Sequence, residues 1–318
     1  MSVLMSDPRP FTHVPVMVDR VIDLFAPVPA GTVVDTTLGG ASHSAALLDA
    51  REDLRILGID RDPQALAAAR ARLARFGPRA EAFHARSDQL AAVVAASGAA
   101  SQSITGVFAD LGVSSPQFDD AERGFSYRHD APLDMRMDQE SGPSAADLVN
   151  TLPEAELARL LRRNADERFA SRIAKFLVAA RPVTTTGQLR DVILAAIPAP
   201  ARRTGGHPAK RTFQALRIAV NQELDVLGPT LDVALDVLAP GGRLVVISYH
   251  SGEDRIVKAR FRTAETGGCT CPPGLPCGCG AVPVARLLKR GGWVPDASEI
   301  NDNPRASSAR LRAVEKLP

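Results

Sequence analysis

Asp35, Asp60, His84, Asp110 and Tyr249 each close a short apolar run, and polar residues at strand ends are where chemistry is first sought. The first exit reads Asp35-Thr36-Thr37-Leu38-Gly39-Gly40-Ala41-Ser42-His43. Its small residues let backbone approach a ligand, and a helix starting at Ser42 would offer unpaired N–H groups. A plain strand-to-helix turn has the same composition. Without G-x-G-x-x-G, a pyrophosphate grip is not indicated. A carboxylate at Asp60 can accept both hydroxyls of a ribose, or it can cap the helix that Pro63 opens. These features fit a nucleoside-bearing cofactor. They do not separate S-adenosylmethionine from a nicotinamide dinucleotide. The fourth exit, Asp110-Leu111-Gly112-Val113-Ser114-Ser115-Pro116-Gln117, is the most distinctive stretch.

Such exits converge only if their strands run parallel. Residues 32–35, 54–60, 80–84 and 104–111 read as strands. Helical patterns separate them, starting at Ser42 and running over 63–76 and 88–96. That alternation predicts an α/β fold with a doubly wound parallel sheet and right-handed crossovers. The alternation stops over 118–208, where 152–163, 166–180 and 187–197 carry helical spacing and no strand pattern is found. Strand logic then returns. A single long helix is expected over 217–238, the turn Pro240-Gly241-Gly242 leads into a strand at 243–249, and short strands are expected at 282–288 and 311–316. The expected organisation is one discontinuous domain, 1–117 and 209–318, interrupted by a helical domain at 118–208.

Hydrophobic residues at 45% and charged residues at 23% suit a folded globular chain and exclude wholesale disorder. No apolar run approaches the roughly 20 residues of a membrane span, and Met1 to Phe11 lacks an apolar signal core. A cytoplasmic protein with no membrane partner is therefore expected. A formal charge of +2 makes any nucleic-acid contact a local matter, and 4% aromatics argues against stacking on many bases. The sequence favours no particular oligomeric state. All four cysteines lie between Cys269 and Cys279, which is not a disulfide framework for a chain this long.

The fourth exit carries a family resemblance. Phe108-Ala109-Asp110-Leu111-Gly112-Val113-Ser114-Ser115-Pro116-Gln117, then Asp119-Asp120-Ala121-Glu122-Arg123-Gly124-Phe125-Ser126 and Pro132-Leu133-Asp134-Met135-Arg136-Met137-Asp138, resembles the RsmH (MraW) family. Further agreement comes from 207–218 with 221–224, from His250-Ser251 with Glu253-Asp254-Arg255, and from Asn303-Pro304-Arg305 with Leu311-Arg312. The resemblance spans Thr12 to Lys316 in the family's order. It implies a class I (Rossmann-like) methyltransferase sheet with an inserted helical substrate domain. It implies S-adenosylmethionine as cofactor and N4-methylation of a decoding-centre cytidine of 16S ribosomal RNA, with the small ribosomal subunit as partner. Carried over residue by residue, the family's cofactor contacts fall on Ala41, Ser42, His43, Asp60, Ser87, Asp110 and Gln117. Four positions depart from its pattern. Ala41-Ser42 stand for two glycines, Ser87 stands for an aromatic, and Gly252 replaces a larger apolar residue.

The exocyclic amine of cytosine is a weak nucleophile, and a methyl sulfonium is a strong electrophile. Alignment and water exclusion therefore matter more than aggressive acid or base. An acceptor near the amine would take up developing positive charge. Asp110, or a backbone carbonyl of 110–114, is the candidate, and Asp110 contacting only the cofactor is the alternative. Arg202, Arg203, Lys210, Arg211 and Arg217, with His207, form either a phosphate-contacting patch or a solvated helix start. Phe118, Phe125 or Tyr127 can stack on a flipped base or pack in a core. Arg128, His129, Asp134, Arg136 and Asp138 read as a lid held by ion pairs. Cys269-x-Cys271 and Cys277-x-Cys279 can hold zinc or stand as reduced thiols, and no metal is expected among the site residues. Two other functions fit the same sheet: a nucleotide-dependent oxidoreductase and a non-catalytic ribosome-binding protein.

Overall fold

Val33 and Val34 are neighbours in one strand with both side chains fully buried, so the sheet that holds them is covered on both faces. The structure is a computed structural model and describes residues 15–97, 104–114, 117, 120–203, 206–272 and 278–318. Strands β1 (Gly31–Asp35), β2 (Leu54–Asp60), β3 (Ala80–His84), β4 (Ile104–Asp110), β5 (Arg243–Ser248), β6 (Ala285–Leu287) and β7 (Arg310–Lys316) form one sheet in the order β3-β2-β1-β4-β5-β7-β6. The first five are parallel, and β7 runs antiparallel to both β5 and β6. Strand order reverses between β1 and β4, which opens a crevice at their carboxyl ends. The strand expected over 282–288 shrinks to three residues, because Pro283 has no N–H for a ladder.

Helices α1 (Val18–Phe25), α2 (Ser42–Ala50), α3 (Pro63–Leu73) and α4 (Leu90–Ala96) alternate with the first strands. Helices α5 (Ala145–Thr151), α6 (Glu154–Ala165), α7 (Ala170–Ala179) and α8 (Thr186–Ala196) follow, then α9 (Lys210–Asn221), α10 (Glu223–Val237), α11 (Ser251–Thr266) and α12 (Ala297–Asp302). Period-two alternation deals the strand side chains to two cores. Val33, Ile56, Phe108 and Val245 pack beneath α1, α2 and α3. Val34, Leu57, Val107 and Val246 pack beneath α4, α10 and α11. Each fully buried aliphatic side chain contributes about 1.5–3 kcal/mol.

The long helix expected over 217–238 is two helices. Gln222 takes φ 54°, a left-handed conformation that ends α9 and starts α10 in a new direction. Among the described residues of 118–208 there is no strand, only a single bridge between Pro132 and Thr185. Leu157, Leu161, Ile173, Leu177, Leu189 and Ile193 build a third core there, to which α9 adds Phe213 and Leu216. Arg123 ties this part to the sheet. Its buried guanidinium donates to Asp62 at 2.9 Å and to the Met137 carbonyl at 2.8 Å.

Candidate functional site

The loop after β1 is stitched to both neighbouring strands. Thr36 N donates to the Phe108 carbonyl (2.9 Å), and Leu38 N donates to the Ile59 carbonyl (2.9 Å). Leu38 seats against Gly58, where a Cβ would stand 2.5 Å from its methyl, so only glycine lets the loop lie this low over β2. Gly39 N then donates to Asp60 Oδ2 at 2.7 Å, while Asp60 Oδ1 accepts from Asp62 N at 2.9 Å. Each carboxylate oxygen keeps a further lone pair for a ligand hydroxyl. Burial pushes the Asp60 carboxyl above the usual range, against those two backbone bonds. The capping role considered for Asp60 belongs to Asp62, whose side chain accepts from Gln64 N and Ala65 N at the start of α3.

Asp110, at the end of β4, faces the same crevice. Its Oδ1 accepts from the Tyr249 hydroxyl at 2.7 Å, its Oδ2 lies 3.7 Å from His43 Nδ1, and its N–H donates to Thr37 Oγ1 at 2.6 Å. Burial raises the Asp110 carboxyl; His43 and the Tyr249 hydroxyl oppose that shift. Burial, and next the Asp110 carboxylate, push the Tyr249 phenol far up, so it stays a protonated donor. The His43 ring packs on Phe108 at 4.9 Å between centroids, and its Nε2 lies 2.9 Å from the Val16 carbonyl. Asp35 is buried behind them. Its Oδ2 accepts from Ser44 Oγ at 2.6 Å, and desolvation raises its pKa to about 6.

Gln117 is buried and bridges the two halves of the mouth. It donates to Asp62 Oδ2 at 2.8 Å and accepts from Ser114 N at 3.0 Å. Ser114 Oγ is buried without a hydrogen-bond partner, and a Cβ on Gly39 would stand 4.0 Å from Ser114 Cβ. An orphaned hydroxyl, two half-used carboxylates and a close-set glycine make a narrow cradle of acceptors. Those acceptors fit the hydroxyls and amino group of a nucleoside.

His43, Asp60, Asp110 and Gln117 thus meet at one mouth. Ala41 is fully buried at φ 59°, where an alanine carries about 1–2 kcal/mol of strain that glycine would not. The Ser42 hydroxyl accepts from Arg72 on α3. Ser87 turns aside: its hydroxyl accepts from Thr230 on α10 at 3.2 Å. Sequence reasoning missed Tyr249 as the partner of Asp110, and Asp62 as the hub that joins Gln117 and Arg123. A signal for Asp62 existed, since an aspartate before a first-turn proline is a standard helix cap.

The candidate substrate groups divide. Arg217 is an internal group rather than part of a phosphate patch. Burial opposes its charge, and Glu223, which it grips at 2.8 and 2.9 Å, more than offsets this. Arg211 donates to the Asp166 carbonyl (2.8 Å), and Arg202 donates to the Ile197 carbonyl (2.7 Å). Phe125 is buried in the helical core, Tyr127 stacks on His207 at 4.3 Å, and Phe118 lies outside the described residues. In the charged loop, Arg136 pairs with Asp134 at 2.7 Å, and Asp138 lies 3.9 Å from His84. At Gly252 a Cβ would stand 3.1 Å from the His250 ring, which caps α11.

A cavity of about 740 Å³ lies between α6 and the α9–α10 turn. Arg159, Arg162 and Arg163 line it with Ile218 and Leu224. Leu224 also approaches Gly252, 3.4 Å from its would-be Cβ.

The sequence profile of the MraW methylase family matches residues 10–317. The chain belongs to the MraW methylase family. It is 51% identical over 312 residues to a protein of Heliobacterium modesticaldum named ribosomal RNA small subunit methyltransferase H, covering 96% of this chain and 99% of that one. A protein of the same name from Renibacterium salmoninarum is 52% identical over 317 residues, covering 96% and 95%. A crystal structure of an rRNA methylase from Streptococcus thermophilus is a more distant likeness, with 13% identity and a TM-score of 0.42 over 95% of this chain and 94% of that one.

Proposed function

We propose that this protein methylates the N4 amine of a cytidine in 16S ribosomal RNA within the small ribosomal subunit. Membership of the methylase family makes it an S-adenosylmethionine-dependent rRNA methyltransferase. The observation that carries the finer reading is the pairing of Asp60 and Asp110 across one crevice at the sheet's switch point. Asp60 would hold the ribose hydroxyls of the cofactor, with Ala41, Ser42, His43 and Gln117 shaping the loop around it and Ser87 at its edge. When bound, S-adenosylmethionine supplies the electrophilic methyl group. Asp110, fixed by Tyr249 and steered by His43, would accept from the cytosine amine or from the cofactor. In the first role it takes up positive charge as the amine becomes a nucleophile. The crevice would admit the base only once it has left its stack.

In the same reading, 1–117 and 209–318 form the catalytic domain and 118–208 the substrate domain, with α9 packed into the helical core. Arg159, Arg162 and Arg163, which line the 740 Å³ cavity, would face RNA phosphates. Transfer of labelled methyl groups to small subunits, followed by nucleoside digestion, tests this directly. N4-methylcytidine is the expected product. A label on another base, or none on RNA, would refute it.

A further inference from the structure

Far from the mouth, the chain gathers thiols. Gly267 (φ 63°) and Gly268 (φ 75°) turn the backbone at the end of α11, so that Gly268 N donates to the Thr263 carbonyl at 3.1 Å and Cys269 N to the Thr266 carbonyl at 3.2 Å. The returning chain is clamped to the same helix end. Val284 N donates to the Ala264 carbonyl at 2.9 Å, and a Cβ on Gly267 would stand 2.4 Å from the Val282 carbonyl oxygen. That clamp closes the loop and brings Cys279 across to Cys269 and Cys271. Their three sulfurs lie within 4.8 Å of one another.

We propose that Cys269, Cys271 and Cys279 bind a structural zinc ion. Tetrahedral zinc with bonds of about 2.3 Å holds its sulfurs roughly 3.8 Å apart, which side-chain rotation of about 1 Å reaches from this arrangement. Thiolates select zinc over magnesium or calcium, and the three thiols release protons as they coordinate. Cys277 lies outside the described residues, and the proposal rests on the other three. The site stands at the opposite end of a 16-residue helix from His250, about 24 Å away, so its role is to fix the loop that feeds edge strand β6.

The test uses untagged full-length protein purified without chelator. Elemental analysis should find about one zinc per chain. Cobalt exchanged into the same protein should show thiolate-to-metal charge transfer and the intense visible bands of tetrahedral coordination. Cys269→Ser and Cys279→Ser should each cut bound zinc at least about tenfold with the far-ultraviolet circular dichroism unchanged. Should those variants fail to fold, the cobalt spectrum of the unsubstituted protein decides. Zinc well below one per chain together with no sulfur charge transfer overturns the proposal. So does a disulfide among these cysteines in freshly purified reduced protein, or zinc retained in both variants.

Discussion

At Asp35 a single carboxyl is buried with one hydroxyl donor and one backbone donor, and desolvation raises its pKa to about 6. A group whose folded pKa exceeds its unfolded value keeps its proton longer in the fold. Stability should therefore fall as pH rises from about 4 to about 6, by up to about 1.4 kcal/mol for each step of one in pH. Asp35→Asn should reduce that slope in denaturant titrations across this window, leaving the contributions of Asp60 and Asp110, which shift in the same direction. Asp60→Ala removes the acceptor proposed for the ribose and should weaken S-adenosylmethionine binding about 10–100-fold by calorimetry, from a charged hydrogen bond of about 1.5–3 kcal/mol. His43, Asp60 and Asp110 were legible in the sequence because each sits at or just past a strand end, where the sheet must present it. The Tyr249–Asp110 bond was not, since 139 residues separate its partners and no local pattern records that pairing. Ser87 has a partner that no local pattern records. Its hydroxyl accepts from Thr230, 143 residues further on.

Among the elements, β2 and β3 have the bounds read from sequence, 54–60 and 80–84, because apolar runs and turn residues mark both ends. The break between α9 and α10 left no such mark. Neither glycine nor proline stands at 222, and apolar periodicity continues through it, so the sequence reads as one helix. Exposed Gln222 adopts φ 54° all the same, and packing of α9 into the helical core and α10 against the sheet compels it. Gln222→Gly should therefore stabilise the protein by about 0.5–1 kcal/mol in thermal unfolding, net of the added freedom of the unfolded chain and of the exposed bond from Arg86. A fall in stability instead would mean that the left-handed turn carries no strain.

Across the molecule, Arg123 and Asp62 join the inserted part to the sheet with both charges almost wholly buried, at 4% and 2% side-chain exposure. Arg123→Ala strands Asp62 and frees the Arg136 and Met137 carbonyls, and should cost about 3–5 kcal/mol in chemical denaturation. Fluorescence and circular dichroism transitions should also separate if the two parts then unfold independently. The halt in strand alternation near 118, and its return near 243, were visible in the sequence. The buried pair that welds the parts was not, because Arg123 reads as one more charge in a polar loop.

Strand β4 ends at Asp110, and its partner on one side, β5, begins only at Arg243. On a translating ribosome, at about 5–20 residues per second, the growing polypeptide therefore waits roughly 7–27 seconds with that strand unpaired along one flank. Its side chains are apolar enough to recruit another nascent chain. Helices of the insert emerge first, so a chaperone or that early helical bundle must shelter the half-built sheet until synthesis catches up.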